Sequence, residues 1–275
     1  MSELERAGWE NDQDVLYYEK LAMAQRFLSV PPDYQRMVDE VDFLIETAAA
    51  CDETVLLLGE SGCGKSFYAK KIHEMSARKK MPLQKISAAA LSPSIIESQL
   101  FGTEVGAFTG AVKSKGVFEQ ADKSTLFIDE IAELPLDLQA KLLCALEDRE
   151  VKHLGSSQTI PFDARFIFAT NKNLRELSQK GLFREDLYYR ISVLEIQIPL
   201  LIFRKDELQE LAKTFAREKG KTLSEVALDK LLFYRWPGNI RELKNVISKS
   251  AIFCQKTELD ADDIRIDESL MLKMW

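Results

Sequence analysis

From residue 59 the chain reads Gly59-Glu60-Ser61-Gly62-Cys63-Gly64-Lys65-Ser66, a match to the pattern G-x-x-x-x-G-K-[ST]. The apolar run Thr54–Leu58 comes directly before it and predicts a buried strand. Glycines at these spacings let backbone N–H groups turn inward around a phosphate, and the helix that follows points the positive end of its dipole at the same anion. In this pattern Lys65 reaches the β- and γ-phosphates and the Ser66 hydroxyl ligates Mg²⁺. The octapeptide therefore predicts a loop that binds a nucleoside triphosphate together with Mg²⁺.

Short apolar runs alternate with helical patterns around this loop. One of the helical stretches is Leu136–Glu147, whose leucines share one face. The predicted strands are Thr54–Leu58, Leu83–Ile86, Thr125–Ile128, Ala164–Thr170 and Val193–Ile198. Such alternation is typical of a parallel sheet that is covered by helices. We therefore predict a doubly wound α/β domain with a five-stranded parallel sheet.

The pattern changes beyond Pro199, where no further strand is predicted. Lys205–Lys219 carries apolar residues at helical spacing. A last helix follows Pro237, with Asn239 as its predicted N-cap and Glu242 placed to bond to the N–H of the cap. These patterns predict a small all-helical subdomain after the α/β domain.

Composition and charge limit the class of protein. The chain has 275 residues, of which 46% are hydrophobic, and a net charge of −7. Residues 1–60 hold 4 Lys/Arg against 14 Asp/Glu, a balance of −10, so the rest of the chain carries +3. This distribution disfavours a protein whose main affinity comes from DNA phosphates. We predict a short acidic lead over residues 1–30, an α/β domain over residues 31–201, and a helical subdomain over residues 202–275.

The sequence favours a cytoplasmic location. No stretch approaches the roughly 20 uninterrupted apolar residues that a membrane helix needs, so no membrane association is expected. The polar and acidic N-terminus lacks the apolar core of a secretory signal. The four cysteines and two histidines have no metal-ligand spacing, and they are predicted to be reduced thiols and ordinary histidines.

Two carboxylates follow the predicted strand Thr125–Ile128. Asp129, at the carboxyl end of this strand, is placed to hold Mg²⁺, because ligands of parallel sheets gather at that edge. Glu130 beside it is placed to polarise the attacking water. Taken alone, Asp-Glu after an apolar run usually marks a solvated strand end. Together with the phosphate loop, the pair favours a catalytic interpretation.

Asn171 and three arginines are further candidates. Asn171 follows the predicted strand Ala164–Thr170 and would face the γ-phosphate side, where its amide orients water; a satisfied loop amide is the alternative. Arg241 lies in the first turn of the last predicted helix, where a cation opposes the helix dipole, so an anion is expected nearby. Arg184 and Arg190 flank an apolar stretch, and the residues alone give them no special role.

The segment at residues 106–111 combines small residues with one large apolar side chain, in the order Gly106-Ala107-Phe108-Thr109-Gly110-Ala111. Its glycines favour a mobile loop, and a mobile loop that presents a phenylalanine is typical of a contact with a partner protein. The alternative is a helix–helix turn with Phe108 buried inside it, which the spacing leaves open.

Together these motifs closely resemble the AAA+ ATPase domain of bacterial enhancer-binding proteins, the sigma-54-dependent transcriptional activators. The likeness runs from about Val41 to Ile266, and the GAFTGA segment at residues 106–111 is specific to this family among AAA+ proteins. The resemblance implies Mg²⁺-dependent ATP hydrolysis in a ring, typically a hexamer. It also implies that the ring moves the GAFTGA loop against sigma-54 and remodels the closed RNA polymerase–promoter complex, so that promoter DNA is engaged only indirectly.

The resemblance also implies roles for single residues. Phe108 and Thr109 would contact sigma-54, and Asn171 would be the sensor I residue. The other assignments are Arg241 as sensor II, Arg184 and Arg190 as arginine fingers that reach the γ-phosphate of the neighbouring subunit, and Val151–Phe162 as a second loop facing the pore of the ring. Arginine fingers accelerate related nucleotide hydrolases by roughly 10³–10⁵-fold, so cleavage would require assembly.

Two departures from the family pattern keep a second function open. Ser87 stands where the family usually has an asparagine that pairs with the equivalent of Glu130, and a serine lacks the reach of an amide. Pro199–Arg204 reads PLLIFR in place of PLRER, with Ile202 where an arginine is typical. The second function is that of an ATP-binding regulatory or scaffold protein with impaired hydrolysis. A third, an AAA+ machine acting on DNA or another protein, is disfavoured by the GAFTGA segment and by the lack of a basic face.

Such activators usually carry a basic helix-turn-helix domain and often a receiver or ligand-sensing domain. The sequence predicts neither in this chain, so no DNA-binding domain is expected here. We expect either an excised fragment or a protein that works without specific DNA tethering, and the sequence leaves both open.

Overall fold

The computed structural model describes residues 32–89 and 92–267. The chain divides into two compact units, the first formed by Met37–Pro199 and the second including the chain from Leu200 onward. The acidic lead expected over residues 1–30 lies outside the described residues. The expected domain boundary between residues 201 and 202 stays a prediction.

The first unit is built on a single five-stranded sheet. The described strands of this unit, including those of two short hairpins outside the sheet, are β1 (Val55–Leu58), β2 (Gln84–Ser87), β3 (Gly102–Thr103), β4 (Ser114–Lys115), β5 (Thr125–Asp129), β6 (Glu150–Lys152), β7 (Thr159–Pro161), β8 (Arg165–Thr170) and β9 (Leu194–Gln197). The sheet has the order β2-β5-β8-β1-β9, and all of its neighbours pair in parallel. The five predicted strands are confirmed, each with ends within one residue of the prediction. Their carboxyl ends lie along one edge, which we call the carboxyl edge.

Helices cover both faces of this sheet. The helices before residue 200 are α1 (Pro32–Ala50), α2 (Lys65–Met75), α3 (Pro93–Phe101), α4 (Val117–Gln120), α5 (Leu136–Asp148), α6 (Leu174–Gln179) and α7 (Glu185–Ile191). Successive strand residues point to opposite faces. Leu126 and Phe168 enter one apolar core with buried residues of α3, α5 and α7. Phe127 and Ile167 enter another core with α1 and α2. The doubly wound α/β architecture predicted from the sequence is confirmed.

The second unit is helical around its own apolar core. Its elements are α8 (Lys205–Glu218), β10 (Thr222–Leu223), α9 (Glu225–Leu232), α10 (Asn239–Phe253) and β11 (Glu258–Leu259). Trp236 and Tyr234 are fully buried there, with ring centroids 4.8 Å apart. The expectation that strands stop beyond Pro199 is wrong, because β10 and β11 pair in parallel. Strands of two residues are too short to show the alternation that reveals longer ones.

The start of α10 also differs from the prediction. Gly238 is the N-cap, and Asn239 is the first residue of the helix, with φ of 50°. The buried Asn239 side chain accepts a hydrogen bond from the backbone N–H of Leu201 at 2.9 Å, so it does not cap its own helix. Glu242 does bond to the N–H of the cap, since its Oε2 accepts from the Gly238 N–H at 2.8 Å.

Thiols and acidic groups are dispersed over the described residues. The four cysteines are described residues, and none of them forms a disulfide. Within residues 32–89 and 92–267, no group of three or more His, Cys, Asp or Glu side chains is arranged to hold a metal ion unaided. The helices of this part of the chain lack the combination of length and apolar character that crossing a bilayer requires.

Candidate functional site

The phosphate-binding loop connects β1 to α2 at the carboxyl edge. Gly64 precedes the first residue of α2 with φ of 105°, a conformation that favours glycine over residues with a side chain. Lys65 follows it, and its side chain is only 6% exposed. The Lys65 Nζ donates to the carbonyl oxygens of Gly59 at 2.8 Å and Glu60 at 3.2 Å. The lysine therefore turns back over its own loop, and the ammonium group lies inside the curve that the loop makes.

Two oxygen ligands meet beside this loop. The Ser66 hydroxyl donates to Oδ2 of Asp129 at 3.2 Å, although the two residues belong to α2 and β5. Hydroxyl and carboxylate oxygens suit Mg²⁺, which is usually held by one or two protein groups, with substrate phosphates and waters completing its shell. The residues present therefore fit the metal that the sequence predicted.

Glu130 is the first residue after β5, and its backbone is strained. Its φ is 54°, which residues with a side chain adopt rarely. Its Oε1 lies 3.9 Å from the Lys65 Nζ. Its Oε2 is buried and has no hydrogen-bond partner among the described residues. A buried carboxylate oxygen without a donor is costly unless something else supplies one, so this oxygen has the capacity to accept a hydrogen bond from a bound molecule.

Asn171 lies one residue beyond β8, next to the start of the loop. The preceding residue, Thr170, pairs with Leu58 across the sheet, and its carbonyl accepts from the Gly59 N–H at 3.3 Å. The Asn171 side chain is exposed and makes no hydrogen bond to any described residue. Both the functional interpretation and the alternative of a loop amide satisfied by solvent therefore stay predictions, and the exposed amide lies at the carboxyl edge.

Arg184 is the N-cap residue before α7, and Arg190 lies in the last turn of that helix. The Arg184 guanidinium forms a double hydrogen bond with Asp186, through Nε at 3.0 Å and Nη2 at 2.7 Å. Arg190 donates to the carbonyl of Leu146 at 3.1 Å. Both side chains are exposed, and neither bonds to the phosphate-binding loop within the described residues. Arg241 lies in the first turn of α10, in the second unit. The structure thus brings Lys65, Ser66, Asp129, Glu130 and Asn171 to one edge of the first unit, and Arg184 and Arg190 make no hydrogen bond to this group.

Ser87 is the last residue of β2 and pairs with Asp129 in the sheet. Its hydroxyl makes no hydrogen bond among the described residues, so it does not hold the carboxylate of Glu130. The departure noted in the sequence thus has a structural counterpart, since the position that pairs with Asp129 lacks a side chain that reaches Glu130.

The GAFTGA segment lies in the ten-residue loop that joins β3 to β4. These strands pair antiparallel, Gly102 with Lys115 and Thr103 with Ser114. Phe108 is 54% exposed, which excludes the alternative of a helix–helix turn with this ring buried inside it. Gly110 has φ of 83°, so the loop takes a left-handed turn directly after its aromatic tip.

A second hairpin supports the base of this loop. β6 and β7 pair antiparallel within the predicted second loop, and the carbonyl of Leu154 between them accepts from the Glu104 N–H at 3.0 Å. His153 is buried, with Nδ1 3.3 Å from Glu104 and Nε2 3.1 Å from Glu119. Lys113 and His153 hold the pKa of Glu104 below its usual range through hydrogen bonds. The tip of the loop is exposed, whereas its base is fixed by charge and backbone bonds.

The sequence patterns did not predict that Lys85 lies at the candidate site. This residue of β2 donates to the Ser66 hydroxyl at 2.9 Å and lies 3.6 Å from Oδ2 of Asp129. Its ammonium also lies 5.2 Å from the centroid of the Phe127 ring. Alternation along β2 was the available signal, because Ile86 points into the core and Lys85 must point to the opposite face, where α2 lies.

A five-stranded parallel sheet with this loop after β1, an Asp-Glu pair after β5 and a helical second unit defines a P-loop protein of the AAA+ class. Residues 33–197 match the family described as the sigma-54 interaction domain, and residues 197–268 match the AAA+ ATPase lid domain. The chain belongs to the sigma-54 interaction domain family, which confirms the resemblance seen in the sequence.

Individual relatives agree with this family. The chain is 46% identical over 240 residues to the Nif-specific regulatory protein of Bradyrhizobium diazoefficiens, covering 84% of this chain and 41% of that protein. It is 42% identical over 230 residues to the sigma54-dependent transcriptional regulator SfnR of Pseudomonas fluorescens, covering 81% and 63%. The chain therefore spans less than two thirds of the length of these relatives. The crystal structure of NtrX from Brucella abortus in complex with ATP is similar with a TM-score of 0.75 and 29% identity, covering 83% of this chain and 55% of that one.

Proposed function

We propose that this chain binds and hydrolyses ATP with Mg²⁺ and uses the reaction to remodel sigma-54 RNA polymerase. The observation that carries the proposal is the unpartnered, buried Oε2 of Glu130 beside Lys65 and the Ser66–Asp129 pair. Phosphoryl transfer to water requires a cation for the phosphates, oxygen ligands for Mg²⁺ and a base for the attacking water. One edge of the sheet carries all three kinds of group. The ATP complex of the similar NtrX structure supports ATP as the nucleotide.

Each residue of the site has a distinct part in this reaction. The Lys65 ammonium stabilises negative charge on the β- and γ-phosphates, and the inward N–H groups of the loop bind their oxygens. Ser66 and Asp129 hold Mg²⁺, which when bound neutralises charge on the phosphates. Glu130 accepts a proton from the attacking water, and Asn171 orients that water as the sensor I residue.

Assembly into a ring, typically a hexamer in this family, completes the proposed site. The exposed guanidinium groups of Arg184 and Arg190 would act as fingers on the γ-phosphate of a neighbouring subunit, and Arg241 would act as sensor II. Both finger candidates are exposed, Arg184 at the N-cap of α7 and Arg190 in its last turn, as a group that acts on another subunit must be. Activity should therefore rise cooperatively with protein concentration.

The GAFTGA loop is the proposed contact with sigma-54. Phe108 at its tip is exposed and supplies apolar area for a partner, with Thr109 beside it. The fixed base of the loop supports transmission of movement to this tip. We propose that the protein acts in the cytoplasm and engages promoter DNA only through RNA polymerase.

Replacement of the proposed base tests the chemistry. Glu130→Ala should lower ATP turnover by about 10²–10⁴-fold, because the water loses its proton acceptor, while ATP affinity stays within about twofold. Phosphate release and equilibrium binding of ATP measure the two quantities. Glu147→Ala, an exposed carboxylate on α5, is the matched control and should leave both unchanged. Full turnover by Glu130→Ala would remove the assigned base.

The unbonded hydroxyl of Ser87 favours a second candidate function, an ATP-binding regulatory or scaffold protein with impaired hydrolysis. ATPase activity measured across protein concentration separates the two. A cooperative rise supports the ring enzyme, whereas tight ATP binding without turnover at any concentration supports the scaffold.

Thr109→Ala tests the proposed contact with sigma-54. It should leave ATP turnover within about twofold and abolish promoter opening by sigma-54 RNA polymerase.

A further inference from the structure

We propose that Lys85 is a built-in competitor of Mg²⁺ that raises the concentration of free metal required to load the nucleotide site. The proposal rests on the proposed function, since it concerns the metal that accompanies ATP. Lys85 Nζ donates to Ser66 at 2.9 Å and lies 3.6 Å from Oδ2 of Asp129, so it contacts both side chains that would ligate the metal. No part of the established family assignment gives this lysine a role.

The strand geometry directs Lys85 to this position. β2 is one of the two outermost strands of the sheet, and its residue Lys85 pairs with Phe127 of β5. The two side chains share the sheet face covered by α2, because their neighbours Ile86 and Ile128 enter the opposite core. The ammonium of Lys85 lies 5.2 Å from the centroid of the Phe127 ring, a cation–π contact that holds the charge near Ser66.

Competition follows from the atoms that the two cations share. The Ser66 hydroxyl has one proton and two lone pairs. Its proton goes to Asp129, and one lone pair accepts from Lys85. A metal ligated by the hydroxyl and by the carboxylate must bring a double positive charge within a few ångströms of this ammonium. Repulsion between the two cations, and the loss of the lysine's hydrogen bond, both weaken metal binding.

Side-chain exposure makes this arrangement reversible. The Lys85 side chain is about half exposed, in contrast to the buried Lys65. A half-exposed lysine can swing toward water when the metal arrives, and its stem can stay on the Phe127 ring. Lys85 is therefore a residue that sets metal affinity, and Lys65 remains the phosphate-binding lysine.

Titration with Mn²⁺, a paramagnetic substitute for Mg²⁺, tests the proposal. The full chain is incubated with a non-hydrolysable ATP analogue, and free Mn²⁺ is counted by electron paramagnetic resonance. Lys85→Met keeps the apolar stem and removes the charge, so the Mn²⁺ midpoint should fall about tenfold. Lys85→Arg keeps the charge and should stay within about twofold of the native midpoint. Lys70→Met, which removes an exposed charge from α2, controls for net charge and should also stay within twofold.

The outcomes separate this proposal from the function on which it rests. If the native chain does not bind the analogue with Mn²⁺, the proposed ATPase function fails and the proposal fails with it. If the native chain binds and Lys85→Met leaves the midpoint unchanged or raises it, only the role of Lys85 is overturned. Lys85→Gln repeats the measurement should the methionine variant not fold, and it should show the same fall. A midpoint lowered in Lys85→Met but equally lowered in Lys85→Arg would indicate lost packing instead of lost charge.

Discussion

The carboxyl edge and the opposite edge of the sheet, where the parallel strands begin and which we call the amino edge, both carry clustered charges, but Arg78 at the amino edge and Glu130 at the carboxyl edge differ in the hydrogen bonds that they make. At the amino edge, Arg78 bonds to the carboxylates of Asp52 and Asp163 and to the carbonyl of Ser124. At the carboxyl edge, Glu130 keeps a buried oxygen that has no hydrogen-bond partner among the described residues. A satisfied cluster stabilises the fold, whereas an unsatisfied one has capacity left for a ligand.

The positions of the two clusters follow from the direction of the strands. Asp52 precedes β1, Ser124 precedes β5 and Asp163 precedes β8, so all three gather where parallel strands begin. A single arginine can then join three chain segments. Ligands of parallel sheets bind at the opposite edge, where the loops that follow the strands meet. A buried polar atom without a partner does not by itself identify a functional site, because Arg165, the first residue of β8 at the amino edge, also has a buried Nη1 without a hydrogen-bond partner among the described residues. The carboxyl edge differs because the unpartnered oxygen of Glu130 lies there beside Lys65 and the Ser66–Asp129 pair.

The substitution with the strongest predicted consequence removes the buried lysine at the carboxyl edge. Lys65→Ala should weaken ATP binding by at least about 100-fold, because the phosphates lose a buried cation and the loop loses its bonds to Gly59 and Glu60. Thermal stability should change little. Equilibrium binding of ATP and a thermal melt measure the two quantities. ATP affinity within threefold of the native value would show that phosphate is not bound at this loop.

The next substitution removes the arginine that joins the chain segments at the amino edge. Arg78→Ala should lower the free energy of unfolding by about 2 kcal/mol, a value reduced for the partial exposure of its carboxylate partners. ATP affinity should stay unchanged, since the cluster lies at the far edge of the sheet. Urea unfolding and ATP binding check both statements. Lys79→Ala, the neighbouring residue, is the control. A loss of ATP affinity without loss of stability would contradict the division of roles between the edges.

The sequence predicted the carboxyl edge better than the amino edge, for a physical reason. The loop at Gly59–Ser66 carries its geometry in consecutive residues, and Asp129 directly follows an apolar run, so local patterns locate both. Arg78, Lys85 and His153 act through partners that only the sheet order and register bring near.

The same limit explains the errors in the second unit. The pairing of β10 with β11 joins segments far apart in the chain. Asn239 turned from its predicted capping role to a bond with Leu201 because tertiary contact outweighed the local preference. Local chemistry is readable from the chain, whereas contacts between distant segments need the fold.

Ser87→Asn would place a hydrogen-bond donor near the unpartnered oxygen of Glu130 at the carboxyl edge. An amide at this position, which pairs with Asp129 in the sheet, can donate to Oε2 of Glu130. One hydrogen bond to a charged group should lower ATP turnover by about tenfold at unchanged ATP affinity. Steady-state phosphate release measures this. Ser94→Asn, on the exposed start of α3, is the control. Higher turnover in Ser87→Asn would instead support impaired hydrolysis in the native chain.

The smallest effect concerns the pH dependence of the amino edge. Hydrogen bonds from Arg78 and then Lys123 hold the pKa of Asp163 below its ordinary value of 3.8. A lowered pKa in the folded state contributes stability above the unfolded pKa, and this stability is lost as the pH falls through the folded pKa. Asp163→Asn should therefore cost roughly 0.5–1 kcal/mol at pH 7, because half-exposed pairs are screened by solvent.

Urea midpoints of the native chain and of Asp163→Asn check this dependence. They are compared at about pH 7, 5 and 3.5, and the two lower values lie on either side of the ordinary pKa of an aspartate. The difference between the two proteins should be nearly intact at pH 5 and should shrink below about pH 4, where protonation removes the charge that the substitution removes. A difference that stays constant down to the lowest pH would show that the charge of Asp163 does not supply the stability that its side chain contributes. The stabilisation of the amino edge by Arg78 would then depend on its hydrogen bonds to neutral groups, such as the carbonyl of Ser124.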